Sequence, residues 1–130
     1  MTRPRDLQMY RPYPDEMPWD LLAAAGADED ALREVLELDL VRVAKLEGRI
    51  VGAYGVRPLT PTRYEIVSLA VEEGWRGKGF GRWLLGHAIG LAESRGGREI
   101  VVRGQRPAAF LRRFGFEPSG PDLHLELTPE

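Results

Sequence analysis

The hydrophobic positions before residue 40 recur at helical spacing. Pro18 at a first turn and Gly26 after a last turn bound one short helix. Asp28 is placed to cap a second helix over residues 29–36, whose apolar side chains fall on one face. A short strand over residues 7–10 precedes both helices. The front of the chain is therefore predicted to be a strand followed by two helices.

From residue 40 the pattern alternates between apolar and polar positions, which is typical of strands. Three such runs are followed by a longer amphipathic segment and then by shorter alternating runs. The predicted elements are strands over 40–46, 50–56 and 64–71, a helix over 80–94, a strand over 99–103, a helix over 107–114 and a strand over 123–127. One more short strand is expected near Phe116. The order β-α-α-β-β-β-α-β-α-β(-β) predicts an α/β (α+β) fold, a mixed sheet with helices on its faces.

Length and composition limit the classes of protein. The 130 residues suit a single domain, 1–130, and 43% of them are hydrophobic. Because the chain has no cysteine, disulfides, cysteine-ligated zinc and a cysteine nucleophile are excluded. No apolar run approaches the roughly 18 residues that a membrane helix requires, and the N-terminus lacks the apolar core of a signal peptide. A cytoplasmic protein without a membrane anchor is the expectation.

The net charge is only −2, but the charges are unevenly distributed. Residues 74–113 hold nine Lys or Arg against two acids, whereas residues 14–47 hold ten acids against three bases. A basic back half favours an anionic ligand. The acidic front half weakly favours a cationic partner. Placement of charge for solubility is the alternative interpretation.

The segment Trp75–Leu85, WRGKGFGRWLL, lies between a strand of buried type and an amphipathic helix. A helix N-terminus presents unpaired N–H groups and a partial positive charge. Glycines let the backbone approach an anion closely, and Arg76 and Lys78 add charge. The segment therefore has the properties of a phosphate or pyrophosphate cradle.

Two known phosphate loops do not fit this segment. A Walker loop requires a Ser or Thr after its lysine, and the dinucleotide fingerprint would place its third glycine at Arg82 or Leu84. An RNA-binding octamer begins like Lys78–Gly81, but two of its three aromatic positions are Arg82 and Leu85. No nucleic-acid partner is therefore expected.

The remaining pattern, R-x-x-G-x-G over Arg76–Gly81, resembles the GNAT superfamily of N-acetyltransferases. The strand YEIVSLAV over residues 64–71 is similar to the family's fourth strand. The stretch AAFLRRFGF over residues 108–116 resembles its fourth helix and "GF" ending. The resemblance covers about residues 40–118. It implies the GNAT-like fold, with a mostly antiparallel central sheet and helices on both faces, and acetyl-CoA as the cosubstrate.

By this resemblance, main-chain groups of the strand and the glycine loop bind acetyl-CoA. The implied cofactor-binding residues are Leu69, Ala70, Val71, Arg76, Gly77, Lys78, Gly79, Phe80, Gly81, Arg82 and Phe110. The Leu69 N–H would polarise the thioester carbonyl, and Glu65 is the candidate general base that takes a proton from the acceptor amine. A charged side chain at the start of a strand is the structural alternative for Glu65.

One position departs from the family pattern. Leu111 stands where many members have a tyrosine that protonates the leaving thiolate, so Tyr54 or Tyr64 on neighbouring strands is a substitute candidate. His87 and His124 are not accompanied by other residues in a metal-binding pattern, so no metal site is predicted.

The prediction is an acetyl-CoA-dependent N-acetyltransferase that acts on a primary amine by direct attack. The acceptor is a small molecule or a protein, and a homodimer is left open. A non-catalytic acyl-CoA-binding module of the same fold is the first alternative, and RNA binding is the second.

Overall fold

The computed structural model describes residues 7–103 and 108–127. In chain order these residues form strands and helices close to the predicted ones. The elements are β1 (Gln8–Tyr10), α1 (Trp19–Ala24), α2 (Glu29–Glu37), β2 (Val41–Leu46), β3 (Arg49–Pro58), β4 (Arg63–Val71), α3 (Phe80–Ser94), β5 (Glu99–Val102), α4 (Ala108–Arg113), β6 (Glu117–Ser119) and β7 (Asp122–Glu126). Two short 3-10 helices, Pro14–Glu16 and Glu73–Trp75, lie in the connections.

All strands belong to one seven-stranded sheet in the order β1-β2-β3-β4-β5-β7-β6. Neighbouring strands are antiparallel except β4 and β5, which run parallel because α3 carries the chain back across the sheet. The predicted mixed, mostly antiparallel sheet is confirmed. The extra strand expected near Phe116 is also confirmed, as β6.

Helices cover both faces of the sheet. On one face, α1 and α2 pack on β3 and β4, and Val35 of α2 contacts the position where Gly55 lacks a side chain. On the other face, α3 packs so closely that Leu84 occupies the space of a side chain at Gly52. Since α4 contacts Gly81 through Phe110, it lies on the same side as α3.

The start of α2 and the packing of α3 test the sequence patterns. The Asp28 carboxylate accepts a 2.7 Å hydrogen bond from the Ala31 N–H, so the predicted cap is confirmed. The predicted amphipathic character of α3 is present, with Trp83 and His87 half-buried at the margin of its buried face. The buried α3 side chains are Phe80, Leu84, Leu85, Ala88, Ile89 and Ala92. Phe110 and Phe114 also contact α3, near Gly81 and Gly86, so the helix is covered from the α4 side as well as by the sheet.

Candidate active site

A gap opens in the middle of the sheet between β4 and β5. The two strands pair only from Arg63 opposite Glu99 to Glu65 opposite Val101. Strand β4 continues to Val71 and stays paired with β3 on its other side, through an irregularity next to Val56. Among the described residues, the edge of β4 beyond Glu65 therefore has no strand partner on the β5 side. Unpaired strand edges offer main-chain donors and acceptors to an extended ligand.

A cleft of about 710 Å³ occupies this gap and passes from one face of the sheet to the other. Its floor is the β4 segment 66–71, with Val102 of β5 opposite. The glycine loop closes the cleft on the α3 face. Side chains of α1 line the part nearest the other face, and α4 residues line the side next to the loop. The sheet gap and the loop thus form one continuous site.

The glycine loop has a backbone that requires glycine at two positions. Gly77 has φ of 79° and Gly79 has φ of 84°, a left-handed region that other residues adopt only with strain. Gly79 is the residue immediately before α3, so the first N–H groups of this helix, from Phe80 onward, have no carbonyl of their own helix to bind. Unpaired N–H groups at a helix start, together with the helix dipole, favour binding of an anion.

Side chains fix the loop to the strand that precedes it. The Nε of Arg76 donates to the carbonyl of Val71 at 3.0 Å, and the Trp75 ring stacks on Phe80 with centroids 6.0 Å apart. Phe80 is buried, whereas Lys78 and Arg82 are exposed. Arg76 and Phe80 therefore hold the loop in place. The positively charged side chains of Lys78 and Arg82 lie exposed beside it.

Glu65 lies at the last paired position of β4, at the point where the gap begins. Its carboxylate is mostly buried and accepts from Arg57 Nε at 2.9 Å, and Arg103 Nε lies 3.4 Å away. Arg57 also donates to Glu34 of α2 at 3.0 Å, which places all these groups on the α2 face. Burial alone would lower the pKa of Arg57, but hydrogen bonds to Glu65 and Glu34 outweigh it and raise that pKa. The lining of the cleft begins one residue later, at Ile66.

Tyr54 is fully buried on the opposite face of β3, beneath α3. Its hydroxyl forms a 2.6 Å hydrogen bond with Nδ1 of His87. Burial raises the pKa of Tyr54 above its ordinary value, and burial followed by the charge of Arg42 lowers the pKa of His87. The tyrosine is thus tied to α3 and is not among the residues that line the cleft. Its suggested role as a proton donor stays a prediction.

A family model for GNAT acetyltransferases matches residues 4–116. The chain belongs to the GNAT acetyltransferase family. A curated relative is the uncharacterized N-acetyltransferase YvbK of Bacillus subtilis, which is 34% identical over 88 residues. That match takes in 68% of this chain and 56% of the relative, so the chain spans little more than half of that protein's length.

Solved structures of the GNAT family share the fold. A GNAT family acetyltransferase from Elizabethkingia anophelis, solved with acetyl-CoA bound, has a TM-score of 0.79 at 21% identity, covering 94% of this chain and 99% of that one. An IAA acetyltransferase from Bacillus cereus has the same TM-score of 0.79 at 26% identity, covering 93% and 99%. The family resemblance of the sequence is confirmed.

The structure brings together residues that the sequence predicts to bind acetyl-CoA. Leu69, Ala70 and Val71 lie on the unpaired part of β4, and the glycine loop lies at its end. Phe110 of α4 is half-buried against Gly81, with 3.6 Å between its ring and the position of a side chain there. Leu111, the position that lacks the family's tyrosine, is buried and lines the same cleft.

The sequence pattern did not identify the residues that α1 contributes. Leu21, Ala24 and Ala25 line the cleft from the face opposite α3. They are ordinary helix residues about forty positions before β4, and no motif marks them. Phe114, just after α4, was also missed as a lining residue.

The RNA-binding alternative is disfavoured by the position of Phe80. An RNA-binding octamer is a strand whose aromatic rings stack on bases. Phe80 is instead buried in the first turn of α3, where Trp75 covers it.

Within residues 7–103 and 108–127, no three His, Asp or Glu side chains are grouped to hold a metal ion, and no helix is long and apolar enough to cross a membrane.

Proposed function

We propose that this chain transfers the acetyl group of acetyl-CoA to the primary amine of an acceptor, in a ternary complex. The observation that carries the proposal is the continuity of two features. The β4 edge beyond Glu65 has no described strand partner, and it leads directly to the glycine loop at the start of α3. An extended polar chain that ends in a pyrophosphate is complementary to both.

The described residues fit this donor along its length. Main-chain groups of Leu69 and Val71 would bind the amide groups of the pantetheine arm as a neighbouring strand would. The N–H groups from Gly77 to Gly81 would bind the pyrophosphate, and the charges of Lys78 and Arg82 would add to the attraction. Acetyl-CoA is bound in the Elizabethkingia anophelis relative, whose fold this chain shares.

The chemistry requires a neutral amine and a polarised carbonyl. The Leu69 N–H would donate to the thioester oxygen and stabilise the negative charge that develops when the amine nitrogen attacks the carbonyl carbon, a contribution of about 3 kcal/mol. Glu65, at the mouth of the gap, would take the amine proton directly or through water. The carbon–sulfur bond then breaks, and the thiolate of coenzyme A leaves.

Leu111 supplies no proton to that thiolate. A thiol pKa of about 8.5 makes the thiolate a tolerable leaving group, so solvent can protonate it after departure. The absence of cysteine in the chain agrees with direct attack rather than an acyl-enzyme on sulfur.

The test is calorimetric titration with acetyl-CoA, followed by thiol release over a panel of primary amines. The expected result is binding of acetyl-CoA and amine-dependent thiol release. Tight binding without thiol release for any amine would instead support an acyl-CoA-binding module. Salt-dependent binding of RNA without affinity for acetyl-CoA would support the RNA alternative and overturn the proposal.

A further inference from the structure

The part of the cleft opposite the glycine loop is lined by apolar side chains. Leu21 and Ala24 of α1 and Ala25 at its end line it, and α1 lies on the sheet face opposite α3. The donor is proposed to enter from the α3 face, so the acceptor has to reach the thioester from the α1 face. These apolar side chains therefore lie along the acceptor's path.

The polar group on this wall is already satisfied within the protein. Ser68 of β4 is buried, and its hydroxyl donates to the carbonyl of Leu22 at 2.8 Å. This hydrogen bond fixes α1 against β4. It also leaves the wall with methyl and methylene groups rather than a hydrogen-bonding group for a second polar end of the acceptor.

Carboxylates are absent from the described lining of the cleft. Three acidic residues of the front half bind groups outside the cleft: Asp28 caps α2, Glu34 pairs with Arg57, and Glu16 pairs with Lys45 at 3.0 Å. The charged side chains that do line the cleft are arginines, among them Arg113 on α4. These arginines lie on the glycine-loop side of the cleft, and Glu65 at the mouth of the gap is already paired with Arg57 and Arg103. A second cationic group on the acceptor would therefore meet the apolar side chains of α1, with no carboxylate among the described lining residues beside them.

We infer that the acceptor is a primary amine on an apolar body, not a di- or polyamine. This inference rests on the proposed function and specifies its substrate class. Burial of each methylene against Leu21 and the alanines favours the apolar body, whereas removing a second ammonium group from water without a partner is costly. The acidic front half of the sequence would have favoured the opposite choice, but its carboxylates do not face the cleft.

The experiment compares hexylamine with 1,6-diaminohexane, which has the same chain length and one more ammonium group. Each amine is titrated into the protein saturated with coenzyme A, so that no transfer occurs, and binding is followed by ligand-observed NMR. Hexylamine is expected to bind at least about tenfold more tightly. Equal or tighter binding of the diamine, or binding of neither amine, would overturn the inference.

Two neighbouring alanines of α1 provide a matched pair of variants. Ala24 lines the cleft, and Ala23 is exposed and does not line it. Ala24→Glu should weaken hexylamine binding and remove the preference over the diamine, whereas Ala23→Glu should leave both unchanged. Equal effects of the two substitutions would contradict the placement of the acceptor against α1.

The same samples separate this inference from the proposed function. Failure of the unaltered protein to bind acetyl-CoA overturns the proposed function and the inference with it. Binding of acetyl-CoA without a preference for hexylamine overturns the inference alone.

Discussion

The hydroxyl of Ser68 donates a buried hydrogen bond to the carbonyl of Leu22, which lies 46 residues earlier in the chain. The bond joins β4 to α1 at the edge of the cleft. Leu22 accepts a second hydrogen bond from the Ala25 N–H at 3.2 Å, so its carbonyl also closes the last turn of α1. One carbonyl thus connects the acceptor-side wall to the strand that is proposed to hold the donor.

Ser68→Ala should lower the free energy of unfolding by about 1 kcal/mol, because a buried hydrogen bond is lost while Leu22 keeps its second donor. It should also raise the KM for the acceptor more than that for acetyl-CoA, since α1 is less firmly held. Denaturant unfolding and steady-state kinetics measure the two effects. The matched control is Ser94→Ala, whose exposed hydroxyl bonds within α3 and whose loss should change stability by less than about 0.5 kcal/mol. Equal changes in the two variants would contradict this role of Ser68.

Gly79→Ala should weaken acetyl-CoA binding and destabilise the protein. The left-handed backbone of Gly79 (φ 84°) would cost alanine about 1–2 kcal/mol, and relief of that strain would reorient the N–H groups of the loop. Calorimetry with acetyl-CoA and thermal unfolding check both expectations. Gly90→Ala, at an open position in the middle of α3, is the control and should stabilise the protein by about 0.5–1 kcal/mol. Unaltered acetyl-CoA affinity in Gly79→Ala would show that the loop backbone does not bind the donor.

Glu65→Gln should reduce kcat by about 10²–10⁴-fold and leave the affinity for acetyl-CoA unchanged, because an amide cannot take the amine proton. The same substitution weakens the ion pair with Arg57, which could by itself disturb the site. Glu34→Gln controls for that effect, since Glu34 binds the same guanidinium at 3.0 Å from α2. A similar loss of kcat in both variants would assign Glu65 a positioning role, and unchanged kcat in Glu65→Gln would remove it from the mechanism.

Stability should depend on pH through His87. Burial, and then the charge of Arg42, lower the pKa of His87 below its ordinary value of about 6.5. Between these two pKa values the unfolded chain therefore binds more protons than the folded chain. The contribution of His87 is therefore complete above about pH 6.5 and is lost as the pH falls toward the folded-state pKa. Urea unfolding from about pH 7.5 to 5.5 should show a steeper loss in the unaltered protein than in His87→Gln. His124→Gln, on β7, should retain the steep loss; identical curves for the unaltered protein and His87→Gln would refute the prediction.

Tyr54→Phe should destabilise the protein by about 1 kcal/mol, because the buried 2.6 Å hydrogen bond between the Tyr54 hydroxyl and Nδ1 of His87 is lost. Thermal unfolding measures this change. The turnover of the folded variant also tests whether Tyr54 donates a proton in the reaction. A loss of turnover without a loss of stability would support the catalytic role over the structural one.

Much of the fold could be predicted from local patterns. Apolar and polar residues alternate over residues 40–71, and apolar residues recur at helical spacing over 80–94. These patterns reflect the local geometry of a strand or a helix, so they can be recognised without knowledge of tertiary contacts. Asp28 and Gly79 are similar cases, because a helix cap and a left-handed turn depend on one residue and its neighbours. The resemblance of the glycine loop and of the β4 segment to the GNAT family identified the cosubstrate without any contact information.

The remaining features depend on groups that are distant in the sequence. The ion pairs of Glu65 with Arg57 and Arg103 join β4 to a neighbouring strand and to the end of β5. Leu21, Ala24 and Ala25 carry no sequence motif, and they line the cleft because α1 packs beside the gap, where Ser68 bonds to Leu22.

The sequence by itself determined the elements, the glycine loop and the family, because backbone periodicity and left-handed glycines are properties of short segments. Only the tertiary structure decided where β4 and β5 separate, which carboxylates face arginines and which side chains line the cleft from the α1 face. Those features arise from packing between elements, and packing brings together residues that no spacing along the chain relates.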